Sequence, residues 1–247
     1  MDSQAAITIL GIRVDSVTCH DALARIEEYL AQGGPHQVNT VNPEFIVTAQ
    51  GDPQFARILN QSALNLPDGQ GLLWAARLLG RPLRERVTGV DTLVGLAALS
   101  AERGYRIYLL GAAEGVAAAA GRHLMGRFPG LEIAGIHTGS PAPEEEEAIA
   151  TEIKSAHPHI LFVAYGAPHQ EEWIARNLAR LDVPVAMGVG GAFDFLSGRA
   201  KRAPRWMQRL GLEWLHRLFH QPWRWRRMLA LPQFALLTIR ERLGRPV

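Results

Sequence analysis

Two hydrophobic patterns alternate along most of the chain. Short apolar runs rich in Val, Ile and Leu are followed by longer segments in which apolar residues recur every three or four positions. The first pattern predicts buried parallel strands and the second predicts amphipathic helices. The predicted strands cover residues 7–14, 37–41, 63–66, 106–110, 132–137, 160–165 and 185–189. The predicted helices cover residues 19–31, 71–79, 92–103, 116–128, 144–156 and 170–181, with another beginning at Pro43. This order predicts an α/β protein with a Rossmann-like, mostly parallel sheet and helices on both faces.

The pattern changes after Ser197, where the strand signals end. Two helices carrying Arg and Trp, separated near Pro222, are predicted for the remainder. We therefore predict an α/β domain over residues 1–198 and a helical, basic C-terminal appendage over residues 199–247. The domain has 14 Lys and Arg against 22 Asp and Glu, or −8, whereas the appendage has 12 against 2, or +10, and holds four of the six tryptophans. Such a segment favours binding to a polyanion or an anionic membrane surface.

Composition narrows the class of protein. The 247 residues are 47% hydrophobic and 20% charged, which is typical of a folded soluble chain rather than a disordered one. The single cysteine, Cys19, excludes an intramolecular disulfide and a zinc site built on paired cysteines. We see neither a signal peptide nor an apolar run of about 18 residues. These features predict a cytoplasmic protein without a membrane span.

Several common nucleotide and metal motifs are missing. The two lysines, Lys154 and Lys201, lie in no P-loop sequence, which excludes a P-loop NTPase. The turn at residues 188–193 has Phe193 where a dinucleotide fingerprint needs a small residue, so a nucleotide-sugar-modifying Rossmann oxidoreductase is a weak alternative. A nucleic-acid-binding protein that uses the basic appendage is a second alternative. No Asp-x-Asp occurs, so the acidic pair that usually clamps a metal ion on a nucleotide diphosphate is missing and no metal site is predicted.

Polar residues follow three of the predicted strands, where open α/β sheets bind their ligands. Thr40 and Asn42 end the first of these strands, and Asn42 is also a natural N-cap for the helix at Pro43. Asp68 lies in a Pro-Asp-Gly turn, which is often purely structural. The third site, residues 164–173, combines a glycine turn with the start of a helix. The free N–H groups at this helix start could bind a phosphate; alternatively, Glu171 and Glu172 only cap the helix.

Taken together, these segments resemble the WecG/TagA/CpsF family of bacterial glycosyltransferases. The motifs are Thr40-Val-Asn42-Pro43-Glu44, Pro67-Asp68-Gly69, Arg86-Val-Thr-Gly89-Val-Asp91, the Gly-x-Pro-x-Gln-Glu segment at 166–171, the glycine turn at 188–191, Arg202-Ala-Pro204, and the Gly-Leu-Glu-Trp-Leu-x-Arg-Leu segment at 211–218. They follow the family's order and spacing from about Ile7 to Arg227. The sequence departs from the family at His169, often Lys there, and in the loop after Gly139, which lacks the usual aromatic residues.

The resemblance implies an inverting, metal-independent transfer of a hexose-type sugar from a UDP-sugar to a polyprenyl-diphosphate-linked saccharide, with no cofactor. The sugar implied is N-acetylmannosamine, its uronic acid or glucose. By resemblance the catalytic residues are Asp68 as general base, Thr40 and Arg86. The donor-binding residues are Asn42, Gln170, Gly166, Gly190 and Gly191. The residues that bind the acceptor diphosphate are Arg217, Arg224 and Arg227.

A lipid-linked acceptor would also explain the basic C-terminal appendage, because the enzyme must reach a substrate held in the membrane. It predicts an enzyme held peripherally on the inner face of the plasma membrane, because each Lys or Arg near anionic lipid contributes about 1 kcal/mol. Whether the three appendage arginines take part in catalysis or only bind the membrane stays open at this point. A homo-oligomer also stays open, and no nucleic-acid partner is expected.

Overall fold

The structure is a computed structural model that describes residues 6–209, 211–222 and 225–244. A short hairpin, β1 (Ile7–Ile9) and β2 (Ile12–Val14), precedes the central sheet. The sheet strands are β3 (His36–Val41), β4 (Leu64–Pro67), β5 (Arg106–Gly111), β6 (Glu132–His137), β7 (Ile160–Ala164) and β8 (Val185–Gly188). All five pairings between them are parallel, in the spatial order β4-β3-β8-β7-β5-β6.

Helices cover both faces of this sheet. The helices of the α/β domain are α1 (Cys19–Gln32), α2 (Pro43–Gly51), α3 (Pro53–Gln61), α4 (Gln70–Leu78), α5 (Gly89–Arg103), α6 (Val116–Arg127), α7 (Pro143–Ala156), α8 (His169–Leu181) and α9 (Ala192–Leu196). Ile107 and Leu109 of β5 pack in one core with α1, α5, α6 and α9, whereas Tyr108 and Leu110 pack in another with α7 and α8. This alternation is the period of two expected of a strand buried on both sides. The predicted fold class is confirmed.

One predicted strand is wrong. Residues 7–14 form an antiparallel hairpin outside the main sheet, with Ile7 paired to Val14. Leu10 and Gly11, between the strands, both have positive φ values of 49° and 78°. A two-residue turn of this kind reverses the chain with a twist that matches its strands. The apolar run therefore contains a turn, which its hydrophobic pattern alone did not indicate.

The prediction of two helices after Ser197 is also wrong. The described parts of this segment contain four, namely α10 (Arg205–Arg209), α11 (Glu213–His220), α12 (Trp225–Met228) and α13 (Ala230–Arg242). Gly211, with φ of 74°, turns the chain between α10 and α11. In the part of the chain that the structure describes, no helix is both long and apolar enough to cross a bilayer.

The last helix, α13, packs on the α/β domain. Phe234 is 4% exposed and shares a core with the β1–β2 hairpin, α2, α3 and α4. The Leu10 N–H, 231 residues away, donates a hydrogen bond of 3.0 Å to the Glu241 carboxylate. The boundary between residues 198 and 199 stays a prediction, but the far end of the appendage is anchored.

Candidate active site

A cavity of about 580 Å³ opens at the carboxyl edge of β3, β4, β7 and β8. Because the strands are parallel, the residues that end them meet at this edge. All the sequence-predicted site residues that the structure describes line this cavity, namely Thr40, Asn42, Asp68, Arg86, Gly166, Gln170, Gly190, Gly191, Arg217 and Arg227. Arg224, the remaining predicted residue, lies outside the described residues.

Asp68 occupies the turn between β4 and α4. Its own N–H donates to the Val41 carbonyl at 2.7 Å, which ties the turn to β3, and Gly69 follows with φ of 122°. One carboxylate oxygen accepts a long hydrogen bond of 3.3 Å from the N–H of Gly89, the first residue of α5. Burial raises the pKa of Asp68 to about 6, and the Gly89 N–H and the Arg86 charge oppose that rise. The carboxylate is therefore ionised at neutral pH but basic enough to accept a proton.

Thr40 lies in the neighbouring strand, β3, and Asn42 follows the end of that strand. The buried Thr40 hydroxyl donates to the Gly188 carbonyl at 3.4 Å, linking β3 to β8. The Asn42 side-chain oxygen accepts the Phe45 N–H at 3.1 Å, so Asn42 caps α2. The capping role expected from the sequence is confirmed, and the same side chain also borders the cavity.

Gln170 joins two glycine turns. Its side-chain oxygen accepts hydrogen bonds from the Gly166 and Gly190 N–H groups, both at 3.0 Å, and its amide nitrogen donates to Glu171 at 2.6 Å. Gly166 and Gly190 have positive φ values of 80° and 50°. The Gln170 side chain is buried, so its evident role is to hold the glycine backbone that borders the cavity.

Glu171 is the main feature that sequence reasoning missed. Its side chain points into the protein, is fully buried, and has one carboxylate oxygen with no hydrogen-bond partner among the described residues. Burial raises its pKa to about 8, and the hydrogen bond from Gln170 only partly offsets this. Glu171 is therefore mostly protonated at neutral pH, rather than a charged cap on α8.

Ion pairs attach the C-terminal appendage to the rim of the cavity. Arg86 binds Glu213 of α11 at 2.8 Å, and Arg202 binds Asp91 at 2.6 Å and Glu213 at 3.3 Å. Arg227 of α12 makes a two-bond pair with Glu44 of α2, at 2.5 and 2.9 Å. The sequence provided no signal for these pairings, because each joins residues distant along the chain.

Arg217 differs from these arginines. Its Nε is buried without a hydrogen-bond partner among the described residues, and its guanidinium lies 5.1 Å from the centre of the Phe195 ring. A side chain at Gly191 would collide with this guanidinium. Burial, followed by repulsion from Arg227, lowers the pKa of Arg217. An anion bound beside it would supply the missing partner.

The described residues contain no group of three or more His, Cys, Asp or Glu side chains arranged to hold a metal ion. The cavity is lined by the carboxylates of Glu44, Asp68 and Glu213, by several guanidinium groups and by glycine turns. Glu44 and Glu213 are paired with arginines, which leaves Asp68 as the carboxylate without such a partner among the described residues. These groups suit a ligand that carries a hydroxyl and phosphates.

Comparison of the amino-acid sequence with known proteins identifies the family. The profile described as the Glycosyl transferase WecG/TagA/CpsF family matches residues 7–247. A Bacillus subtilis (strain 168) protein named N-acetylglucosaminyldiphosphoundecaprenol N-acetyl-beta-D-mannosaminyltransferase is 37% identical over 215 residues, covering 87% of this chain and 83% of the relative. Proteins of the same name from Bacillus spizizenii and from Staphylococcus aureus (strain MW2) are 36% and 30% identical. Their alignments cover 86% and 93% of this chain, and 82% and 91% of those relatives. The protein therefore belongs to the WecG/TagA/CpsF family of glycosyltransferases.

Proposed function

We propose that the protein transfers N-acetylmannosamine from a UDP-sugar to an N-acetylglucosaminyl-diphosphate-polyprenyl acceptor. Of the three donor sugars that the family resemblance implies, the names of the relatives favour this one. The observation that carries the proposal is that Asp68, ionisable near neutral pH, shares one cavity with guanidinium groups from the C-terminal appendage.

The proposed reaction is a single displacement with inversion at the anomeric carbon. An acceptor hydroxyl oxygen bonds to that carbon while the carbon's bond to the β-phosphate oxygen breaks, and the electron pair leaves with UDP. The hydroxyl proton passes to the Asp68 carboxylate. UDP departs as a stable anion, so the second carboxylic acid that glycosidases need for their leaving group is not required.

Guanidinium groups provide the charge that two diphosphates require. In this proposal Arg86 neutralises the departing diphosphate, while Arg217, Arg227 and Arg224 bind the diphosphate of the acceptor, without a metal ion. The buried, unpartnered Nε of Arg217 supports its share of this role. Arg86 and Arg227 are paired with Glu213 and Glu44, so ligand phosphates would compete with these carboxylates.

The donor-side roles follow from the groups around Asp68. Thr40 and Asn42 present a hydroxyl and an amide beside the sugar. The turns at Gly166, Gly190 and Gly191 lie along the nucleotide, where the absence of side chains lets the ligand approach the backbone closely. Gln170 acts as a positioning residue, because its amide is occupied by Gly166, Gly190 and Glu171. The appendage, with its net charge of +10, holds the enzyme on the cytoplasmic face of an anionic membrane.

A transfer assay with purified protein tests this function. The donors are UDP-N-acetylmannosamine, UDP-N-acetylglucosamine and UDP-glucose, each offered with a short-prenyl N-acetylglucosaminyl-diphosphate acceptor, with and without EDTA. We expect transfer from the first donor only, a product of inverted anomeric configuration, and a rate that EDTA leaves unchanged. Transfer from another donor would change the proposed sugar, and loss of activity in EDTA would reject the metal-independent mechanism.

A further inference from the structure

The cavity that contains Asp68 continues into an apolar stripe between two helices. On one side lie Trp74 and Leu78 of α4, four residues apart, and on the other lie Leu231, Ala235 and Ile239 of α13, also at intervals of four. Residues spaced by four lie on one face of a helix, so each helix presents a continuous apolar edge. We call these five residues the apolar stripe.

Three side chains of the apolar stripe are both large and exposed. Trp74 is 59% exposed, Leu78 45% and Ile239 47%. Phe234 and Thr238 of the same helix also border the cavity but are buried, so α13 has a buried side in addition to the exposed one. The stripe therefore does not complete the core, and exposed contiguous apolar surface of this kind marks a binding site.

The two helices that carry the apolar stripe, α4 and α13, both begin near the polar end of the cavity. Helix α4 begins two residues after Asp68, and α13 begins three residues after Arg227. At a rise of 1.5 Å per residue, Leu78 lies about 12 Å along α4 from Gln70, and Ile239 lies about 12 Å along α13 from Leu231. The cavity is therefore lined by charged side chains near Asp68 and the appendage arginines, and by apolar side chains farther along the two helices.

This order of surfaces matches a molecule made of a saccharide, a diphosphate and a hydrocarbon chain. We propose that the apolar stripe binds the first isoprenyl units of the lipid acceptor, directly beyond its diphosphate. The inference rests on the proposed function, and it adds that the enzyme recognises the lipid itself rather than leaving it wholly to the bilayer. Apolar surface removed from water on both partners supplies the affinity.

Acceptors that differ only in their tails test the proposal in solution, without membranes. The two acceptors carry the same N-acetylglucosaminyl-diphosphate group, one with a geranyl tail and one with a methyl group. For the full chain we expect kcat/KM to be about tenfold or more higher with the geranyl acceptor, mainly through a lower KM. Equal values for the two tails would overturn the inference and leave the proposed function intact, whereas no transfer to either would reject the proposed function itself.

Matched variants locate the effect. Trp74→Ser and Ile239→Ser should each reduce the geranyl-to-methyl ratio of kcat/KM several-fold, towards one. Leu236→Ser is the control, because Leu236 lies on the same helix and is 51% exposed but does not line the cavity. We expect it to keep the wild-type ratio, and equal loss of the ratio in Leu236→Ser would overturn the proposal. Melting temperatures close to wild type are expected for all three, because the side chains replaced are exposed.

A second copy of the chain is the competing occupant of the stripe. Sedimentation velocity at the assay concentration separates the two cases. We expect Trp74→Ser and Ile239→Ser to leave the oligomeric state as it is in the wild type. Conversion of an oligomer to a monomer in parallel with loss of the tail preference would assign the stripe to a subunit interface and overturn the proposal.

Discussion

The carboxylates of Asp68, in the cavity wall, and Glu171, in the protein interior, both have raised pKa values, but by different amounts. Asp68 borders the cavity and keeps an N–H donor from Gly89, so its pKa rises only to about 6. Glu171 is sealed inside the protein, and its pKa rises to about 8. One carboxylate is therefore ionised at neutral pH and the other mostly neutral, which suits the first for accepting a proton and the second for a structural hydrogen bond.

The first prediction concerns Asp68→Asn. Removal of a general base typically lowers the rate by about 10²- to 10⁴-fold, so we expect turnover to fall by that factor while UDP binding stays near wild type. In the wild type, kcat/KM should fall with acid below about pH 6 as Asp68 takes up a proton. Steady-state kinetics and calorimetric UDP titration measure the two effects.

Asp52→Asn is the matched control, because Asp52 caps α3 outside the cavity and Asn is an equally good N-cap. Retention of more than a tenth of wild-type turnover by Asp68→Asn would reject Asp68 as the base.

The second prediction concerns the effect of Glu171 on stability. The unfolded chain releases the Glu171 proton near pH 4.5 and the folded chain only near pH 8, so ionisation of Glu171 lowers stability as pH rises between these values. Glu171→Gln removes this slope, so its stability relative to wild type should increase with pH over this range, by at most about 1.4 kcal/mol per pH unit. Urea unfolding at several pH values measures the difference.

Glu172→Gln, at the neighbouring position whose side chain is 23% exposed, is the control for replacing an acid by its amide at the start of α8. A pH-independent difference between Glu171→Gln and wild type would mean that Glu171 is already ionised in the folded protein.

The two carboxylates also show how far the sequence predicts a site. Asp68 was predictable because parallel strands bring their carboxyl ends to one edge, so a residue after β4 must lie near that edge. Glu171 was not, because two adjacent acidic residues open α8. Which of them faces inward depends on how the helix is rotated against the sheet.

At the scale of elements, the end of β8 and the start of α8 form one unit. A side-chain carbon added at Gly188 would lie 2.7 Å from the Gln170 amide nitrogen and would also meet the Glu171 carboxylate. Both neighbours are buried, so neither has space to move away. The absence of a side chain at Gly188 therefore allows Gln170 to hold the Gly166 and Gly190 turns.

The third prediction follows from this contact. Gly188→Ala should displace the Gln170 amide, weaken UDP-sugar binding about tenfold and lower the melting temperature. Gly126→Ala is the control, because Gly126 lies in α6 with open space around it, and alanine there should stabilise the helix by about 1 kcal/mol. Unchanged donor binding in Gly188→Ala would show that the glycine turns do not depend on Gln170.

The sheet strands were predictable from the sequence, whereas the helices α3 and α9 were not predicted. The strand and helix alternation gave each sheet strand to within one or two residues, because buried parallel strands are short and uniformly apolar. Two further features were not predicted: the turn at Leu10 and Gly11, and the division of the described appendage into four helices. Both depend on single residues with positive φ and on packing against distant helices.

At the scale of the whole molecule, the C-terminal appendage is part of the cavity rather than a tether beside it. It contributes Arg217 and Arg227 to the lining, is paired to the domain through Glu213, and buries Phe234 in the domain. The sequence alone predicts a stable domain after deletion of everything past Ser197. Burial of Phe234 predicts instead that this deletion exposes part of a core and lowers stability.

The fourth prediction therefore uses substitutions that keep the fold. Combined replacement of Arg217, Arg224 and Arg227 by Ala should lower transfer to a soluble short-prenyl acceptor by about 100-fold or more, because the acceptor diphosphate loses its cations. Binding to phosphatidylglycerol vesicles should persist, because nine of the twelve cations of the appendage remain. Phosphatidylcholine vesicles, which carry no net charge, are the control for the vesicle-binding measurement. Full activity on the soluble acceptor would contradict the prediction and assign the three arginines to membrane binding alone.

The hydrogen bond between Leu10 and Glu241 joins residues that are synthesised at very different times. A ribosome adding about 5 to 20 residues per second takes roughly 10 to 50 seconds to make the intervening 231 residues. During that interval the first hairpin lacks the helix that covers it, and the polar end of the cavity lacks Arg217 and Arg227. A nascent chain therefore lacks the complete cavity lining, and the cover of its first hairpin, until residues up to Glu241 have been made.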